Sequence, residues 1–155
     1  MKIRGAVQPE MVFLDLEADD AQGALAAVAH ELGEQTGLGS DCVLSALIER
    51  EELGSTSVGN AFAIPHCKLV NLEAIVVALA RLKGGVDFGN SGKHEPVRFF
   101  FVVLSPPDQP TEHLQVLSQI ARILKNGELR EELLNAPGPA DVVDSIQRAA
   151  DLEGL

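Results

Sequence analysis

Tryptophan and tyrosine are absent, and six phenylalanines are the only aromatic side chains. That argues against platforms on which nucleic-acid bases stack. Positive charge is also scarce: 12 Lys and Arg stand against 23 Asp and Glu, a net charge of −11. A nucleic-acid groove needs a basic face, so no nucleic-acid partner is expected; the acidic surface would instead steer a basic protein partner. Only two cysteines occur, Cys42 and Cys67. Two thiols in a chain of this size fit a reducing compartment, not a disulfide scaffold. The longest apolar runs, "AIVVALA" and "FFFVVL", fall far short of the roughly 20 residues of a spanning helix. Gln8, Pro9 and Glu10 interrupt the N-terminus before a signal core can form. The expectation is a cytoplasmic protein without direct membrane insertion. No C-x-x-C, H-E-x-x-H or G-x-x-x-x-G-K-[ST] pattern is present, so neither a metal, a cofactor nor a bound nucleotide is expected.

What is present is an ordinary globular mixture, 46% apolar and 23% charged over 155 residues, enough for one domain with a real core. "MVFLDL" at 11–16 reads as a strand. Helices are expected over 20–35, with Asp19 or Asp20 as cap, and from Ser40 or Asp41 to Gly54. "GSTSVGN" reads as a loop. Three extended segments then follow at 61–67, 73–82 and 97–104, the last being the clearest buried strand. A Gly-rich connection separates the second from the third. Helices are expected again over 111–125, 127–135 and 139–152. Parallel neighbours need long crossovers, so three strands without intervening helices cannot all be parallel. The fold class is therefore α/β, a mixed sheet flanked by helices.

Chemistry centres on "GNAFAIPHCKLV", residues 59–70. His66 follows Pro65 at a strand end. Proline fixes its own φ and donates no hydrogen bond, so it belongs at a strand edge or end, and the next side chain sits on a stiff, exposed backbone. His66 is then either a preorganised reactive group or a strand-end histidine that only hydrogen-bonds. Cys67 should face the other way, because successive strand side chains alternate; a Cys–His nucleophile pair or a shared zinc site is disfavoured accordingly. His113 lies just inside a helix N-terminus, capped by Thr111 or Asp108, and Val116, Leu117 and Ile120 place it on the inner face. The positive helix end disfavours imidazolium, so His113 should be a neutral donor, or a satisfied core histidine. Arg50 lies beside the apolar arc of its helix and wants an anion, either a neighbouring Glu or something in a site. His30 falls off its helix's apolar arc and His94 falls in the turn region; both are expected to be roleless. A neutral imidazole is a nucleophile toward phosphorus, and phosphoryl transfer needs positioned donors. Arg50, His113 and the "GSTS" groups could supply them.

"REELGSTSVGNAFAIPHCKL", followed by "TEHLQVLSQIARIL", resembles the enzyme IIA proteins of the fructose/mannitol class of the bacterial phosphoenolpyruvate phosphotransferase system. The standalone, nitrogen-related member is the most similar. The resemblance spans essentially the whole chain and implies a single IIA type-2 domain over 1–155, with a mixed sheet between helices. It implies that His66 accepts a phosphoryl group from the phosphocarrier protein HPr, downstream of enzyme I. His113 would orient or stabilise the phosphorylated state and Arg50 would hold the phosphoryl oxygens. The acceptor would be a IIB protein or a regulatory target. In the second case, phosphorylation of His66 would only switch partner binding, a reading favoured by the lack of a fused IIB or membrane segment. A metal-dependent hydrolase using His66, Cys67 and His113 is the third reading. Ala61 and Cys67 stand where the family often has glycine. Ala61 is expected to be harmless on a negative φ, and Cys67 to add redox sensitivity beside the active histidine.

Overall fold

Strand periodicity explains the centre of the molecule. Phe99, Phe101 and Val103 point to one face of the sheet, while Phe100, Val102 and Leu104 point to the other. All six are fully buried, so this strand is covered on both sides and reads as an unbroken apolar run. The computed structural model describes residues 1–89 and 95–155; the expected loop position of His94 lies outside the described residues. In chain order the elements are α1 (Ile3–Ala6), a 3-10 turn (Pro9–Met11), β1 (Val12–Leu16), α2 (Ala21–Thr36), α3 (Ser40–Glu52), β2 (Ser57–Gly59), β3 (Phe62–Ala63) and β4 (His66–Lys68). Then come β5 (Val76–Val86), β6 (Val97–Ser105), α4 (Pro110–Ile123), α5 (Gly127–Asn135) and α6 (Pro139–Leu152).

The sheet is mixed, as the missing crossovers require. Its order is β1-β5-β6-β3-β2, with β4 also paired to β6. β5 runs antiparallel to β6, whereas β3 and β4 run parallel to it and β1 runs parallel to β5. Helices α2 and α3 cover one face, burying Leu25, Val28, Leu32, Val43 and Leu47. Helices α1, α4, α5 and α6 cover the other, burying Ile3, Val116, Ile120, Leu133 and Ile146. Each fully buried aliphatic or Phe side chain contributes about 1.5–3 kcal/mol.

Several expectations change in detail. The segment 61–67 is two short strands, because Ile64–Pro65 interrupts the ladder where proline has no N–H to give. β5 continues through Gly84 and Gly85 to Val86 instead of turning at them. Gly85 is there for a close approach: a Cβ would clash with that of Pro96. "SVG" in the expected loop forms an edge strand. Asp20 does cap α2, accepting from the Gly23 N–H at 2.7 Å, but Gly39 precedes α3 and Gln109 precedes α4, neither with a side-chain cap. The expected caps Ser40, Asp41, Thr111 and Asp108 are not used.

Ala61 does not have a negative φ. Asn60 and Ala61 lie at φ 57 and 74, two left-handed residues in the tight turn joining β2 to β3. The Ala61 carbonyl accepts from the N–H groups of both Arg98 and Phe99, which pins the strained backbone. Substitution Ala61→Gly should leave unfolding free energy within about 1 kcal/mol of wild type. Relief of a left-handed alanine gives about 1–2 kcal/mol. Loss of a buried methyl costs about 0.8 kcal/mol, and the freer unfolded chain about 0.4–1 kcal/mol. On ordinary β backbone only the two losses would remain, so a drop of about 1.2–1.8 kcal/mol in denaturant unfolding would contradict the turn.

Candidate active site

β4 is an edge strand, and its rigidity has a local origin. Pro65 fixes the chain entering it, and the Pro65 carbonyl accepts from the Val103 N–H at 2.9 Å. His66, Cys67 and Lys68 then stand in register with Val103, Leu104 and Ser105. His66 therefore shares the α4 face with Val103, and Cys67 shares the α2/α3 face with Leu104. The His66 ring turns back on its own chain, with Nδ1 2.7 Å from the Ile64 carbonyl. A carbonyl only accepts, so Nδ1 carries the proton and Nε2 is left with its lone pair.

Two other elements close on this edge. The last turn of α3 brings Arg50, whose Nη1 donates to the Gly54 carbonyl at 2.9 Å. Among the described residues Arg50 forms no ion pair with a glutamate. The first turn of α4 brings His113, buried, its ring centroid 5.6 Å from that of His66 with the planes inclined at 54°. Its Nδ1 lies 2.5 Å from the hydroxyl of Ser105, the last residue of β6. Between these elements lies a cleft of about 430 Å³, lined by Ala46, Glu49, Arg50, Leu53, His66, Cys67, Lys68 and His113. The structure thus brings His66, His113 and Arg50 to one cleft. His30 is exposed on α2, away from it.

Both cleft imidazoles are held neutral. Burial is the main cause of the lowered pKa of His66; Arg50 lowers it further, against the Ile64 bond and Glu51, which raise it. Burial likewise lowers His113, and a proton on His66 or the charge of Lys68 lowers it further. The "GSTS" groups do not line the cleft; the Ser55 and Thr56 side chains are engaged locally, and the Ser57 hydroxyl is buried without a partner among the described residues. Glu51 accepts from the Thr56 hydroxyl at 2.6 Å and the Thr56 N–H at 2.9 Å, and Ser55 accepts from the Ser57 N–H at 3.1 Å. Their role is to tie the end of α3 to β2.

Two readings of Cys67 need correction. Burial pushes its thiol up to about 12, and the thiolate is the oxidisable and metal-binding form. Redox sensitivity beside His66 therefore loses its basis. His66 and Cys67 also lie on opposite faces of β4, which removes the donor set of the hydrolase reading. Among the described residues no group of three or more His, Cys, Asp or Glu is placed to hold a metal, and no helix is long and apolar enough to cross a membrane. Two site residues escaped the sequence reading. Lys68 is one residue beyond Cys67 and returns to the His66 face. Ser105 is the single polar side chain closing an apolar strand.

Comparison with known proteins decides the family. Residues 6–149 match the family described as phosphoenolpyruvate-dependent sugar phosphotransferase system, EIIA 2. The chain belongs to this family. It is 37% identical to a nitrogen regulatory protein of Bradyrhizobium diazoefficiens over 86% of each chain. A fructose-specific EIIA component of Haloferax volcanii is 35% identical over 72% of this chain and 71% of its own. The crystal structure of the nitrogen regulatory protein IIA-Ntr from Neisseria meningitidis superposes with a TM-score of 0.85 at 27% identity, covering 93% of this chain and 98% of that one. This EIIA chain is thus a component of a phosphotransferase system, a class whose members stand between a phosphocarrier and a IIB protein, and its relatives include both nitrogen-regulatory and sugar-specific proteins.

Proposed function

We propose that His66 is the phosphoryl acceptor of this EIIA protein, in the cytoplasm. The observation that carries the reading is the Nδ1–H bond to the Ile64 carbonyl, which leaves Nε2 as the nucleophile on a neutral ring in a cleft with Arg50 and His113. A phosphohistidine of an HPr-type carrier supplies the group. Its P–N bond breaks, the electron pair stays on the carrier's ring, and a new P–Nε2 bond forms on His66. Arg50 and the His113 N–H serve as donors to the phosphoryl oxygens, where charge spreads in transfer. The group then passes to a IIB protein or acts as a regulatory signal on a partner. The 37% identity to a nitrogen regulatory protein favours the regulatory fate.

The test is intact-mass spectrometry after incubation with phosphoenolpyruvate, enzyme I and HPr. An acid-labile gain of one phosphoryl group is expected; no gain, with a control EIIA phosphorylated in the same mixture, would overturn the proposal. The pH dependence has a definite sign. Protonation would occupy Nε2, and the His66 pKa lies below its ordinary value of 6.5. The acceptance rate should therefore fall to half its neutral-pH value only at a pH below 6.5. A rate already halved at pH 6.5 in rapid-quench kinetics would contradict a buried, depressed imidazole.

A further inference from the structure

His113 can donate to a phosphoryl oxygen only through a ring nitrogen that carries a proton, and its two nitrogens are not equivalent. Nδ1 faces the Ser105 hydroxyl at 2.5 Å. Ser105 is fully buried, and its backbone is fixed by register with Lys68 and by the Leu69 N–H, which donates to its carbonyl at 2.9 Å. Among the described residues the hydroxyl has no hydrogen-bond partner other than His113 Nδ1. If Nδ1–H donated to Ser105, the hydroxyl proton would be buried without an acceptor, which costs free energy. If the hydroxyl donates to Nδ1, both groups are satisfied, and the imidazole proton must then sit on Nε2.

We propose that Ser105 is a positioning residue whose hydroxyl donates to His113 Nδ1 and so holds the tautomer whose Nε2–H is free to donate in the cleft beside His66. The catalytic use of that N–H rests on the reading of the cleft as a phosphoryl site; the tautomer does not. Burial of the ring, which keeps it neutral, agrees with this arrangement. Two bonds of opposite sense thus set the two imidazoles. A carbonyl forces the His66 proton onto Nδ1, and a hydroxyl forces the His113 proton onto Nε2.

The test is long-range 1H–15N correlation of the histidine rings in the full, unphosphorylated chain, for wild type, Ser105→Ala and Ser105→Thr. In wild type, His113 should show an unprotonated Nδ1 and a protonated Nε2. Ser105→Ala should give averaged tautomers, and Ser105→Thr, which keeps the hydroxyl, should restore the single one. Phosphoryl acceptance should slow about two- to tenfold in the Ala variant, the size of one lost hydrogen bond, and recover with Thr. A protonated Nδ1 in wild type would overturn the proposal without any variant, even if Ser105→Ala failed to fold. A folded Ala variant keeping one Nε2–H tautomer, or a folded Thr variant behaving like Ala, would count equally against it. Absence of phosphorylation with the expected tautomer would instead indict the acceptor reading of His66.

Discussion

His66→Ala should take up no phosphoryl group and still fold. With phosphoenolpyruvate, enzyme I and HPr, wild type gains the mass of one phosphoryl group and the variant gains none. The other nucleophiles of the cleft are poor substitutes. Cys67 is held as a thiol, with its pKa at about 12. His113 is 7% exposed and its Nδ1 is engaged by Ser105. Lys68, as an ammonium, offers N–H donors and no lone pair. Folding survives because the His66 ring is only half-buried on an edge strand, and among the described residues its one hydrogen bond goes to its own segment. Losing that bond costs about 1 kcal/mol, a small change in denaturation midpoint. A variant that still gained one phosphoryl group would transfer the acceptor role to His113; a variant that unfolded would make His66 a structural residue first.

The fold was legible wherever one pattern dominated. The run at 97–104 reads as a buried strand because seven of its eight residues are apolar, all but Arg98, and it forms one residue longer. α5 and α6 begin and end where 3.6-residue periodicity and Pro139 put them. The misses share a physical cause, since they lie where tertiary contact outweighs local preference. Gly84 and Gly85 read as a turn, but β6 lies alongside and Pro96 occupies the space a side chain would need. Ser57–Gly59 is too short and Gly-bounded to read as a strand, yet β3 pairs with it. Ile3 and Val7 near the N-terminus carry no periodic signal, though both are buried.

The grouping of the candidate site residues in one cleft was legible for a different reason. His66, His113 and Arg50 are residue types that an apolar environment does not tolerate idly, so their positions beside proline, at a helix start and next to an apolar arc stood out. Lys68 and Ser105 did not, because each is ordinary at a strand end. Only the register of β4 on β6 makes them informative: Lys68 and Ser105 are direct neighbours, one at the cleft wall and one behind His113. The acidic balance of the whole chain says nothing of this place. Its net charge is −11, yet Arg50 and Lys68 line the cleft against the single carboxylate of Glu49, so the lining charge there is positive and suits a phosphoryl anion better than the rest of the surface does.

That local field makes Arg50→Ala the second large effect. The guanidinium is not a loose surface charge. Its Nη1 is fixed on the Gly54 carbonyl at 2.9 Å, which orients the planar fork before any phosphoryl group arrives and leaves its remaining N–H groups as donors. Removing one such donor at a transferring group costs about 2–4 kcal/mol, so phosphoryl acceptance and onward transfer should both slow by roughly thirty- to a thousandfold. Lysine should recover only part of this, because one ammonium cannot hold Gly54 and span two phosphoryl oxygens together. The pH profile separates this role from simple packing. Arg50 lowers the pKa of His66, second to burial among the lowering causes. Its removal should therefore move the acid limb of the rate profile to higher pH. Slower transfer with an unmoved acid limb would mean that Arg50 shapes α3 without acting on the ring. Unchanged rates in both directions would remove it from the site.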